Sequence, residues 1–159
     1  MTVRIELKNI KSVMDDLEEV ESEMKKRIMQ DSIMDAAKIV QRAARALAPQ
    51  KTGALRRSIR LRKMKKRERG DMFGAVVDFN SKTAGYTHIV EGGAAGHLIK
   101  PEKGKALKLK GGYVSKVNHP GFRARNFLAN AWRTTQHKLV DEIRKGILLR
   151  VAKLKANRG

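Results

Sequence analysis

The chain has 159 residues, 36 Lys and Arg against 16 Asp and Glu, a net charge of +20, and no cysteine. That length is one ordinary domain, able to bury roughly 70% of its unfolded surface. The missing thiols exclude disulfides, thiolate chemistry and Cys-based zinc sites, and no run of about 18 apolar residues is present to span a membrane.

Aromatic residues make up only 4%, so the core must rest on Ile, Leu, Val, Met and Ala. The opening decapeptide MTVRIELKNI places charges where a signal peptide needs an apolar block. The charge is unevenly spread. Residues 1–35 hold nine acids and six bases, whereas residues 36–159 hold seven acids and thirty bases. A field of that sign favours a polyanion or an acidic protein surface, and it repels copies of the same chain.

Residues 2–7 alternate, with Val3, Ile5 and Leu7 on one side and Arg4 and Glu6 on the other, which predicts a strand. Residues 12–47 read as helix. Ser12 and Asp15 match a rough capping box, and Asp15, Asp16, Glu18 and Glu19 precede Lys25, Lys26 and Arg27 as the helix dipole prefers. Ile33, Ala36, Val40, Ala43 and Leu47 define the buried stripe. Unbroken, this helix is about 50 Å long; a break at Asp31-Ser32 is the alternative. Pro49 ends it by denying Ala48 the α conformation, and Thr52-Gly53 turns the chain.

Leu55, Arg57, Ile59 and Leu61 alternate as a strand, and Met72–Phe79 reads as its return across a hydrophilic tip at 62–71. Residues 86–91 fit either a helical turn or a strand. Short strands follow at 97–99, 105–110 and 113–117, divided by Pro101 and Gly111-Gly112. Pro120 and Gly121 set a tight turn. Asn126 then stands where it can cap a final helix, about 126–155, that Phe127 and Leu128 pin to the core. Leu128, Trp132, Thr135, Leu139, Ile143, Ile147, Val151 and Leu154 recur three or four apart along it. The expected architecture is a single α+β domain, an antiparallel sheet over about 55–118 flanked by two long helices.

Chemistry is sparse. His88, His97, His119 and His137 lack HExxH spacing and an accompanying carboxylate cluster, so they read as structural. Ser58, His88 and Asp78 supply the residue types of a hydrolytic triad, without a nucleophile elbow around Ser58. Gly92-Gly93-Ala94-Ala95-Gly96 is glycine-rich but is not followed by the Lys-Ser/Thr of a phosphate loop, and reads as a connection. No cofactor or metal is implied. The cationic run Arg56, Arg57, Arg60, Arg62, Lys63, Lys65, Lys66, Arg67 and Arg69 has three readings: a solvated hairpin, a backbone-binding arm for nucleic acid, and a surface docking on acidic faces of neighbouring subunits. Interleaved aromatics, needed for base stacking, are missing from it.

Four stretches occur in order: APQKTGALRRSI at 48–59, YTHIVEGG at 86–93, KALKL at 105–109, and the HPG turn leading to Asn126-Phe127-Leu128. Together, over roughly residues 30–135, they resemble the tail-completion, or neck, proteins of long-tailed bacteriophages, similar to the minor tail protein Z type of lambda-like phages. That family's pattern runs Ala-Pro-x-x-Thr-Gly-x-Leu-Arg-x-Ser-Ile, then Tyr-Ala-x-x-Val-Glu-x-Gly, then a basic stretch ending Pro-Phe-Leu. Pro49, Thr52, Gly53, Leu55, Tyr86, Glu91, Gly92, Pro120, Gly121, Phe127 and Leu128 carry the match. Asn126 stands where Pro is frequent, a change expected to be harmless because both residues start helices.

The resemblance implies a non-enzymatic virion protein at the head–tail junction. It implies assembly into a ring, with sixfold symmetry matching a tail tube, and partners in the tail terminator and the head-completion or adaptor ring. Packaged DNA in the channel and protein outside it are both open as the contact of the basic face, and no membrane is involved. The acidic stretch 15–23, with Asp15, Asp16, Glu18 and Glu19, and the basic loop 62–69 are the complementary pair expected between subunits. A basic nucleic-acid-binding protein of ribosomal or nucleoid type is the alternative that charge by itself allows.

Overall fold

A computed structural model describes residues 2–6, 22–65, 73–102, 104 and 106–157. The elements are β1 (Val3–Glu6), α1 (Ser22–Leu47), α2 (Ala54–Ser58), β2 (Ile59–Lys63), β3 (Gly74–Phe79), α3 (Thr87–Gly92), β4 (His97–Ile99), β5 (Leu107–Leu109), β6 (Gly112–Val114), β7 (Val117–His119) and α4 (Phe127–Ala156). The chain is an α+β protein with two long helices against an antiparallel sheet. The expected helix start at Ser12 and Asp15, the acids to Glu19, and the cations Lys66, Arg67 and Arg69 lie outside the described residues.

β3 is the middle strand, paired antiparallel with β1 and β2. Register aligns Val3 and Leu61 with Val77, Ile5 with Ala75, and Ile59 with Phe79. Side chains alternate across a strand, so these residues share one face. That face packs on α1 and α4, and Val3, Ile5, Ile59, Ala75 and Val77 join their core. Arg4, Arg60, Arg62, Val76 and Asp78 occupy the other face.

α1 and α4 make the main helix contact of the fold. α1 presents Ile33, Ala36, Ala37, Val40 and Ala44, all 2% exposed or less, with Ala48 just past its end. The stripe drifts away from the expected Leu47, which is 49% exposed, because α1 buries small residues against close neighbours. α4 answers with Leu139, Ile143, Ile147 and Val151, as the spacing predicts, while Trp132 and Leu154 pack at the core margin. At Gly146 a β-carbon would stand 3.2 Å from both Cβ and Oγ of Ser32. The missing side chain therefore sets how closely the helices cross.

The break anticipated at Asp31-Ser32 does not occur. The Ser32 hydroxyl donates to the Ile28 carbonyl at 2.8 Å, a bond made within a continuous helix, and accepts from Arg150 at 3.3 Å. The strand expected from Leu55 to Leu61 is also corrected, because it begins only at Ile59. Gly53 takes φ +73° and its carbonyl accepts from Arg57 N, closing a helical turn that buries Leu55 and Ser58. Three-residue spacing of buried groups is a helical signature, and it overrides the weak alternation.

The later strands do not extend the main sheet. β4 pairs with β7 and β5 with β6 as separate two-stranded ribbons. Leu98, Ile99, Leu109 and Tyr113 are exposed on them, so these ribbons lack the apolar face needed to join a layered core.

Candidate interaction groove

The first, second and fourth motif stretches meet in space, while the third contributes Leu107–Leu109 to the separate β5–β6 ribbon. Ser58, at the end of the first, donates from its buried hydroxyl to the Leu55 carbonyl at 2.6 Å and lies 3.3 Å from Thr87 Oγ1, in the second. Thr87 in turn donates to the Ala84 carbonyl at 2.6 Å. Residues 86–91 are thereby resolved as helix α3 rather than strand.

The second motif then holds the last helix. Glu91 is 2% exposed, and its two carboxylate oxygens accept the backbone N–H groups of Leu128 and Ala129 at 3.1 Å each. This corrects the expected role of Asn126, which sits at φ +48° and makes no side-chain cap. Its backbone N–H donates instead to the Glu91 carbonyl at 3.1 Å, while Arg125 N donates to Val90 O at 3.0 Å. A carboxylate at a helix N-terminus satisfies free donors and meets the positive end of the dipole. Upstream, Ala94 and Phe122 form a reciprocal bridge. Gly121 permits it: at φ +79°, a β-carbon would come 2.3 Å from the Ala94 carbonyl oxygen. Pro120 precedes this turn, and the Gly121 N–H donates to His119 Nδ1 at 3.0 Å.

Between the first two motifs lies an apolar groove of about 260 Å³, lined by Pro49, Lys51, Thr52, Gly53, Leu55, Tyr86 and Val90. Tyr86 is 47% exposed over it. Arg56 Nε donates to the Ala48 carbonyl and its Nη2 to the Ala46 carbonyl, both at 3.4 Å. Arg57 donates to the Thr52 carbonyl at 3.3 Å and lies over Gly53. These arginines brace the carbonyls around the helix stop at Pro49.

The remaining cations of the run behave differently. Arg60 Nε reaches Asp78 Oδ1 at 2.6 Å and Arg62 Nε reaches Oδ2 at 2.9 Å, so one carboxylate joins both across β2 and β3. Lys63 approaches Asp31 at 3.7 Å, and Lys65 is exposed beyond the strand. Asp78 as a pairing residue was invisible in the sequence, because only strand register brings it opposite Arg60.

These engagements do not assemble Ser58, His88 and Asp78 into a triad. Among the described residues no hydrogen bond joins Ser58, His88 and Asp78, and His88 is exposed. No group of three or more metal-ligating side chains forms there either, and no described helix is long and apolar enough to cross a membrane.

The α4 C-terminal half is tied to α1 through Arg150, which donates to Ser32, to the Gly146 carbonyl at 3.0 Å and to Asp35. Hydrogen bonds from Lys38 and then Arg150 hold the Asp35 carboxyl below the usual carboxylate range. Nothing in the spacing of Ser32, Asp35, Gly146 and Arg150 marked them in advance.

The described residues thus present a braced apolar groove with the exposed cations Lys51 and Arg57 beside it. The family profile described as "Bacteriophage HK97-gp10, putative tail-component" matches residues 11–93, just over half of the chain. The chain belongs to this HK97 gp10-like family of structural phage tail components. No curated protein and no solved structure shows significant similarity to it.

Proposed function

We propose that this tail component is a tail-completion protein of the phage neck, a non-enzymatic joint that assembles as a ring and joins the finished tail to the DNA-filled head. One observation supports it most: three of the four motif stretches that resemble those of neck proteins converge on one braced junction that exposes an apolar groove and cations. A fixed apolar hollow with a charged border suits binding of a protein surface. The tail terminator and the head-completion or adaptor ring are the partners in this reading, and sixfold symmetry matches the tail tube. Asp15, Asp16, Glu18 and Glu19 meet cations of the 56–67 run on neighbouring copies.

Charge reversal at Lys63, Lys65, Lys66 and Arg67 tests the contact role of that run. Heads and tails should accumulate unjoined in a complementation assay, whereas normal yields of infectious particles refute it. Monomers whose DNA affinity falls linearly and steeply with log salt would favour the nucleic-acid-binding alternative.

A further inference from the structure

The cations near the groove differ from those further along β2. Arg60, Arg62 and Lys63 have carboxylate partners. Among the described residues, Lys51, Arg56 and Arg57 have none, and both arginines are positioned by backbone carbonyls. Carbonyl bonds fix a guanidinium in place but leave its charge for another anion. The hollow itself is about 260 Å³, below the roughly 300–1,000 Å³ of small-molecule pockets. It suits one or two apolar side chains delivered by an acidic segment.

This chain carries such a segment. No base occurs between Lys11 and Lys25, and Asp15, Asp16, Glu18, Glu19 and Glu21 surround Val13, Met14, Leu17 and Val20. Its own groove is out of reach. Ser22 begins α1 and the Pro49 wall follows its other end. Twenty-five helical steps separate Ser22 from Leu47, about 38 Å at 1.5 Å each. Leu17, five residues before Ser22, spans at most about 18 Å, and Val13 at most about 32 Å.

We propose that the groove receives the acidic segment 12–21 of a second copy of this chain. The inference rests on the ring reading and names the contact that would propagate it. Segment and groove are different patches, so the contact is head-to-tail, the kind that closes rings. It also brings the acidic stretch of one +20 chain against the basic border of the next, offsetting self-repulsion.

The test combines charge swapping with sedimentation velocity. Lys51→Glu with Arg57→Glu should weaken wild-type self-association at least tenfold, as should Asp16→Lys with Glu19→Lys. All four changes in one chain should restore it, because the altered segment then fits the altered groove. Tyr86→Ala should weaken assembly without any charge change, and circular dichroism should show each variant folded. Since the chain has no cysteine, Leu17→Cys with Thr52→Cys gives a clean crosslink, expected between chains. A crosslink within one chain, no restoration in the four-site variant, or a monomeric wild type at all concentrations overturns the proposal. A groove variant that still self-associates but no longer joins heads to tails also overturns it, and assigns the groove to another virion protein. Loss of self-association with normal head–tail joining would retain this contact and reject the tail-completion role of the ring.

Discussion

Glu91 caps a helix that begins thirty-six residues later, its carboxylate holding the Leu128 amide at 3.1 Å and the Ala129 amide beside it. The end of α3 is thereby locked to the start of α4, and with it the Tyr86 wall of the groove. Glu91→Ala should destabilise the protein by about 1–3 kcal/mol, through a lost cap and buried donors left without a partner. Glu91→Gln, which keeps one acceptor oxygen, should fall between the two. Urea denaturation measures this, and an alanine variant within about 0.5 kcal/mol of wild type, inside the range of an ordinary surface change, would show that the cap is dispensable.

Asn126 shares that junction but acts through its backbone. Its φ of +48° is open to Asn and Gly and closed to the proline ring. Asn126→Pro should cost at least about 3 kcal/mol, losing both the conformation and the bond to the Glu91 carbonyl. Asn126→Gly should stay within about 1 kcal/mol of wild type. The Pro of the resembling family pattern is thus not interchangeable with Asn in this backbone. Thermal melts of the two variants should separate widely; similar melts would refute the assigned geometry.

Gly146 tests the helix crossing. Gly146→Val should lower stability by about 1–3 kcal/mol by overpacking against Ser32. For Gly146→Ala, the helix-propensity gain of about 1 kcal/mol opposes a smaller clash, so the net change should be small. A valine variant as stable as wild type in denaturant would mean that the crossing yields freely.

Asp35 supplies a pH dependence. Its folded carboxyl is held below the unfolded value by Lys38 and Arg150, so its contribution is present above about pH 4, near the unfolded Asp pKa. It is lost as pH falls further, through the lower folded value. Asp35 is half exposed, which keeps the effect near 1 kcal/mol or less. Asp35→Asn should reduce stability at pH 7 by that amount and flatten the profile below about pH 4. Parallel stability curves for wild type and variant across pH 2–7 would contradict this.

Much of the fold was legible because it depends on local periodicity. The α4 stripe of Leu139, Ile143, Ile147 and Val151 and the alternation at Val3 and Ile5 follow from repeat lengths of 3.6 and 2. The short helix α2 was not legible, since Leu55 to Leu61 satisfies a weak strand pattern until Gly53 bends the chain into a turn. The groove was half legible: Pro49, Thr52, Gly53 and Tyr86 stand out as punctuation, but nothing local says that they face one another.

The amino-acid order alone fixed the charge asymmetry, the absence of thiols, the two long helices and the motifs that resemble phage neck proteins, because each is a property of composition or of neighbours in the chain. Only the tertiary structure decided that Glu91 rather than Asn126 caps α4, that Asp78 joins Arg60 to Arg62, and that Tyr86 and Val90 face Pro49, Lys51 and Gly53 across an apolar hollow. Those relations join residues far apart in the chain, and register and helix crossing, which no local pattern encodes, bring them within bonding distance.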